Sequence, residues 1–360
     1  MYKLIFTNLI LSILLFTFTD FVYSKFIIDK KKKIKTVYES NEKYHHFLKK
    51  NYSDISQYGY KKPHICTNEF RLKVDCKNIN NSKNYDIGIL GDSFVEGVGL
   101  EYNKTFVGIL DLKENLSIAN LGVGSYSPLL YFEKLKLLIN YGFKFKEIIV
   151  FVDISDIQDE INYYKLDGNI KNKIYDEQNS YTNQEKNNYA NKSFSLKNFI
   201  FSNFKISFYL ISNLKRIFII ADPFNIYNKN DARWSWTFNK SITNFSEEEI
   251  NEGISKAKKN LENIFLFLKK RNIDFSIAVY PTPHQILYDK EDNRQNKIWK
   301  KFCEFKCKKY YDFNKIFFKK KENMQLKKFI KKYYFVYDVH FNFNGNKLIA
   351  EEFIKIRKNQ

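Results

Sequence analysis

With 360 residues, 44% of them hydrophobic and 18% aromatic, the chain can bury a sizeable core and is not a disordered polymer. The formal charge of +20 invites a nucleic-acid reading, but Lys far outnumbers Arg and is spread with Asn through every region. That describes a solvated basic surface rather than a phosphate-reading face, so no nucleic-acid partner is expected and an anionic glycan or lipid headgroup is the charged partner left open.

Residues 4–19 are uncharged and mainly aliphatic or aromatic, preceded by Lys3 and followed by Asp20 and the basic run 30–33. The run is shorter than the ~20 residues of a spanning helix and suits a signal-peptide core, with Ser24 as a small residue for cleavage. Residues 1–24 are therefore read as a signal peptide or a membrane anchor. The lysines after the run favour a cytoplasmic side there. The four cysteines argue the other way, because the close pairs Cys66/Cys76 and Cys303/Cys307 suit local disulfides of an oxidising compartment. Neither pair has the two-residue spacing of a zinc knuckle. Export is the favoured reading.

Residues 25–84 read as a polar N-terminal extension, with a short strand at 65–71. From residue 85 strands and helices alternate. Strands are expected at 87–90, 117–121, 148–152 and 275–279, with a short one near Tyr310. Ser127-Pro128 opens a helix that carries Leu130, Leu135, Leu137 and Leu138 and ends by Gly142. Residues 246–271 form the clearest helix: Ser246 and Glu249 make a capping box, and Ile250, Ile254, Ala257, Leu261, Ile264, Phe265 and Leu268 keep a 3.6 period. A last amphipathic helix covers 344–357. Such alternation predicts a parallel sheet covered on both faces. Residues 162–245 interrupt it as an insertion beside the site, loop to about 191 and helix within 199–220.

The strand at 87–90 runs into Gly91-Asp92-Ser93, which sets a serine hydroxyl on a tight turn at the carboxyl edge of the sheet, where open α/β folds place their chemistry. The bland reading makes Asp92-Ser93 an ordinary turn or helix cap. A nucleophile needs a base, and His340 in Asp338-Val339-His340 is the best candidate of five histidines. In an extended segment Asp338 and His340 project to one side, about 7 Å apart, so Asp338 can orient the ring. His45, His46 and His64 are read as surface residues, and His284 as lining the substrate pocket. The acids Asp153, Asp156, Asp159 and Glu160 are read as pocket-lining groups or helix N-terminal charges.

These two segments resemble the first and last blocks of the GDSL/SGNH hydrolase superfamily, whose members are serine esterases and acyltransferases. The resemblance covers about 85–356, with the insertion unmatched. It implies an α/β fold, a three-layer α/β/α sandwich with a parallel flavodoxin-like sheet over 85–358, to which the N-terminal extension and the insertion are added. It also implies a Ser93–His340–Asp338 triad. Asn120 to Ser127 looks like the second block and Asp153-Ile154-Ser155-Asp156 like the third, giving Ser93, Ser125 and Ser155 as oxyanion donors. Asp92, Asp156 and His284 are possible pocket residues, and no metal or cofactor is implied. Three departures stand out. Tyr337 occupies the usual Asp position three before the histidine, and the two-residue Asp338–His340 spacing resembles SGNH-like proteins that O-acetylate polysaccharides. Ser125 replaces the usual glycine, and Ser155 the usual asparagine. The implied function is an extracytoplasmic esterase or acyltransferase acting on an acyl group of a glycan or lipid. The alternative is a catalytically weak or inactive SGNH-like envelope protein that binds or helps assemble a glycan.

Overall fold

The computed structural model describes residues 2–26, 36–41, 44–58, 61–113, 116–162, 200, 203–211, 214, 226–242 and 245–358. The loop expected up to 191 lies outside them, as does much of the helix expected within 199–220, which is helical where described at 205–211. Contacts divide the chain into two compact units: Met1–Ile34 with Lys173–Asn225, and Lys35–Asn172 with Ile226–Gln360.

In the first unit, α1 runs over Tyr2–Phe26, further than the apolar run alone implies. The helix continues past Asp20 because that carboxylate is fully engaged. It accepts Ser24 Oγ (2.9 Å) and the backbone N–H groups of Ile206 (3.0 Å) and Ser207 (2.8 Å), which caps the helical run at 205–211. Lys3–Lys25 is long and apolar enough to cross a membrane, a property that signal sequences share.

The second unit opens with the extension. Strands β1 (Tyr38–Asn41) and β2 (His45–Leu48) pair antiparallel, and β3 (Ser53–Ile55), β4 (His64–Thr67) and β5 (Lys73–Val74) form a separate antiparallel sheet. The strand expected at 65–71 stops at Thr67 because Asn68 Oδ1 accepts Phe70 N and Leu72 N, both at 3.0 Å, and turns the chain. Cys66–Cys76 and Cys303–Cys307 are disulfides.

The main sheet is β6 (Asn84–Leu90), β7 (Ile118–Asn120), β8 (Lys144–Val152), β9 (Asp274–Val279) and β10 (Lys309–Asp312), all parallel, in the order β10-β9-β8-β6-β7. The helices that flank and connect it are α2 (Ser93–Glu96), α3 (Phe106–Lys113), α4 (Pro128–Asn140), α5 (Asp156–Asn162), α6 (Ala232–Ser235), α7 (Glu247–Lys269), α8 (Pro283–Tyr288), α9 (Arg294–Cys303), α10 (Phe313–Glu322), α11 (Leu326–Tyr333) and α12 (Phe343–Lys358). Helix α7 packs on α4 and α5, and α3 on α12. The capping box of α7 forms as its sequence prescribes: Ser246 Oγ accepts Glu249 N, and Glu249 accepts Ser246 N. Ile89, Leu90, Ile148, Ile149 and Val150 are completely buried, each adding about 1.5–3 kcal/mol of hydrophobic stabilisation.

The end of the expected insertion belongs to this unit. Trp236 Nε1 donates to Ile154 O (2.8 Å), and Arg233 clamps the buried Asp159 through two hydrogen bonds of 2.6 and 2.7 Å. Strands β6, β8 and β9 end at one edge of the sheet. The segments that leave them carry Ser93, the Asp153–Asp156 turn and the Tyr280–His284 stretch.

Candidate active site

Ser93 is the first residue of the single-turn helix α2. Asp92 caps it, accepting Phe94 N at 2.9 Å, and Gly97 closes it in a left-handed conformation (φ 69°) while donating its N–H to Ser93 O. Ser93 Oγ lies 2.7 Å from His340 Nε2, and His340 Nδ1 lies 2.7 Å from Asp338 Oδ1. The alcohol, the imidazole and the carboxylate stand in a line of two hydrogen bonds.

The segment that carries Asp338 and His340 is a turn, not the extended segment expected. Phe335 N donates to His340 O (2.9 Å) and Asp338 N to Phe335 O (3.2 Å), while Tyr337 takes φ 74°. Asp338 Oδ1 folds back to accept Val339 N (2.7 Å) as well as the ring. Carboxylate and ring therefore meet through a tight turn, which is why two-residue spacing suffices.

Burial would lower the pKa of His340, but the hydrogen bond and the charge of Asp338 outweigh it and hold the value above the usual one. Burial would raise that of Asp338, and the hydrogen bond from His340 leads the influences that bring it below the usual carboxylate range. Asp92 is pushed up to about 8 by burial and by the charge of Asp153. It is buried, within 3.4 Å of Ser93 Oγ, and accepts Tyr280 Oη at 3.3 Å.

Tyr58, from the extension, sits with its hydroxyl 2.8 Å from His340 Nδ1 and also hydrogen-bonds Asp338. Nothing in its local sequence marks it, because only the fold brings it there. Tyr227 donates to the Asp338 carbonyl at 3.0 Å. If Ser93 is a nucleophile served by His340, replacing Tyr58 by Phe is expected to lower turnover about fivefold through the loss of one hydrogen bond worth roughly 1 kcal/mol, with KM unchanged. Steady-state kinetics on an activated ester reads this directly, and an unchanged turnover would leave Tyr58 as packing only.

The side chains of Ser93, His340 and Asp338 hydrogen-bond Tyr58 and Asp92, and Tyr227 reaches the Asp338 carbonyl. Ser125 is exposed at the tip of a turn with φ 62°. Ser155 is buried and its N–H donates to Asp153 Oδ1 (2.7 Å). Asp156 is buried too, accepting Asp153 N and Tyr131 Oη, both at 3.0 Å, and burial holds its pKa well above normal. Glu160 accepts Ser127 Oγ and Leu129 N, both at 2.7 Å. Both acids thus have hydrogen-bond partners within the fold. His284 is only 2% exposed, stacked on Trp234 and edge-on to Tyr227, and burial lowers its pKa to about 4, so it is neutral and closed off from solvent.

His46, expected at the surface, is buried beneath the loop that follows Asn120, with Nε2 2.7 Å from Gly124 O. Glu96, at the end of α2, accepts Gly124 N (2.7 Å) and Tyr38 Oη (2.8 Å). A Cβ at Gly122 would lie 2.2 Å from Glu96 N, so only glycine lets this loop press on the helix that starts with Ser93. His64, Cys66 and Cys76 are close enough to share a metal, but the two sulfurs are joined to each other. A scan against models of known protein families and a search of curated proteins found no match to this chain.

Proposed function

We propose that the chain is an extracytoplasmic serine esterase or O-acyltransferase of the SGNH type, acting on an acyl ester of a glycan or lipid. The observation that carries this reading is the 2.7 Å approach of Ser93 Oγ to His340 Nε2, with Asp338 on the other ring nitrogen. Numbered within the sheet, the strands follow the order 2-1-3-4-5, the doubly wound order of flavodoxin-like folds, and Ser93 follows its first strand. The apolar helix at the N-terminus and the two disulfides support an extracytoplasmic setting.

In this mechanism Ser93 Oγ attacks the ester carbonyl as its proton passes to His340 Nε2. The tetrahedral oxyanion collapses, the alkoxy C–O bond breaks, and the leaving alcohol takes the proton back from Nε2. Water then releases the acyl group from Ser93, or a sugar hydroxyl accepts it. The first outcome is hydrolysis and the second is transfer.

Two features favour the inactive glycan-binding reading: Ser155, in the usual asparagine place, is a shorter side-chain donor, and Ser125, in the usual glycine place, lies exposed. Losing one oxyanion donor reduces turnover by roughly a hundredfold or more. A fluorophosphonate probe with peptide mass spectrometry separates the two. The triad reading expects Ser93 to be labelled, and both labelling and p-nitrophenyl acetate turnover to vanish in Ser93→Ala. An unlabelled Ser93, with wild type and Ser93→Ala equally inert, sinks it.

A further inference from the structure

A second feature lies behind the triad. A cleft of about 620 Å³ is lined by Lys61, Lys62, Lys104 and Lys331, with Glu101 the one acid among the described lining residues. Glu101 pairs with Lys104 at 2.9 Å, so the lining keeps an excess of positive charge. The cleft is within the size range of ligand sites. Its other walls are amphipathic: the 44% exposed Phe343 offers a ring face and the exposed Asn344 an amide, while Phe335 is buried under Lys61 and the Asn342 amide is spent on Lys331 O, Tyr334 O and the N–H groups of Asn344 and Gly345.

The cleft shares parts with the candidate active site. One wall, Tyr334 to Val336, leads directly into the turn that holds Asp338 and His340, and another, Gly99 to Glu101, follows the Ser93 helix. A Cβ on Gly99 would meet Tyr58 at 3.0 Å and Phe335 at 3.2 Å, so the Tyr58 ring, whose hydroxyl is 2.8 Å from His340 Nδ1, packs against the Gly99 wall of the cleft. Tyr58 and Lys61 also exchange both backbone hydrogen bonds, at 3.0 and 2.9 Å, which ties the lysines to the residue on the imidazole.

We propose that this cleft binds an oligosaccharide bearing carboxylate or phosphate groups. Lysines supply the counter-charge, Asn344 partners a hydroxyl group, and the Phe343 ring covers the apolar face of a sugar. Only the further step, that the occupant belongs to the acylated substrate, rests on the esterase or acyltransferase reading.

The test is calorimetric titration of the full chain carrying Ser93→Ala, in detergent, with a galacturonate tetramer, cellotetraose and inorganic phosphate. The tetramer is expected to bind saturably, at least about tenfold more weakly in Lys62→Gln/Lys331→Gln, and undiminished in the control Lys258→Gln/Lys259→Gln on α7. Equal binding by the cleft variant, an equal loss in the control, or equal affinity for cellotetraose overturns the proposal. So does binding confined to inorganic phosphate, or to phosphatidylglycerol vesicles in a parallel flotation assay. Turnover of p-nitrophenyl acetate by the wild-type chain reports separately on the catalytic reading; its absence removes that reading and leaves the binding result standing.

Discussion

Exchanging Asp338 for Asn is expected to lower ester turnover by about 10³- to 10⁴-fold and to move the acid limb of the pH–rate profile to lower pH. In the proposed mechanism His340 accepts the serine proton only when neutral, so turnover falls as pH drops through its pKa. In the wild type that pKa is above the ordinary 6.5, because the hydrogen bond and charge of Asp338 overcome a burial that favours the neutral ring. Asparagine removes the charge and leaves burial to dominate. The limb then shifts downward, and more imidazole is neutral at pH 7. Turnover still collapses, because the amide no longer fixes the proton on Nδ1 and Nε2 is not held ready to accept from Ser93. Profiles of kcat from pH 5 to 9 for both proteins measure the two effects together. A loss under fivefold with an unmoved limb would show that Asp338 does not orient the ring.

The parts of this molecule legible in its sequence are those whose causes are local. The strand that delivers Ser93, the capping box of α7 and the Cys pairs each depend on residues a few positions apart, and all of them form. The meeting of Ser93 with His340 was legible for a different reason: two short, chemically loaded segments stand out against a chain with few histidines. The turn at 335–340 was not, since Tyr337 adopts a left-handed conformation that a non-glycine residue rarely takes. Tyr58, His46 and Tyr38 were not legible either. Each comes from the extension, and its role exists only because the fold lays that extension on α2 and the loop that follows Asn120. The N-terminal helix exceeded its apolar run because Asp20 finds partners at 206 and 207, far away in the chain.

Glu96→Ala is expected to destabilise the second unit by about 3–5 kcal/mol, the usual consequence of removing one partner from a buried charge cluster. Glu96 is buried and accepts Tyr38 Oη and Gly124 N, so alanine leaves two donors without an acceptor. Its charge also supports two buried lysines. Burial lowers Lys73 to about 8 against the pull of Glu96, and Lys134, whose Nζ has no hydrogen-bond partner among the described residues, to about 7. Without Glu96 both fall further, and each depressed lysine favours the unfolded chain while it is protonated there. That penalty fades as pH climbs from the folded toward the unfolded lysine pKa. The lysine part of the deficit is therefore larger at pH 6 than at pH 9. Glu96→Gln, which keeps an acceptor but not the charge, is expected to be the milder change. Urea unfolding followed by tryptophan fluorescence suits the measurement, since all three tryptophans, Trp234, Trp236 and Trp299, lie in this unit. A Glu96→Ala midpoint within about 1 kcal/mol of wild type, or a deficit that grows with pH, would mean that this carboxylate does not hold the lysines or the loop beneath Ser93.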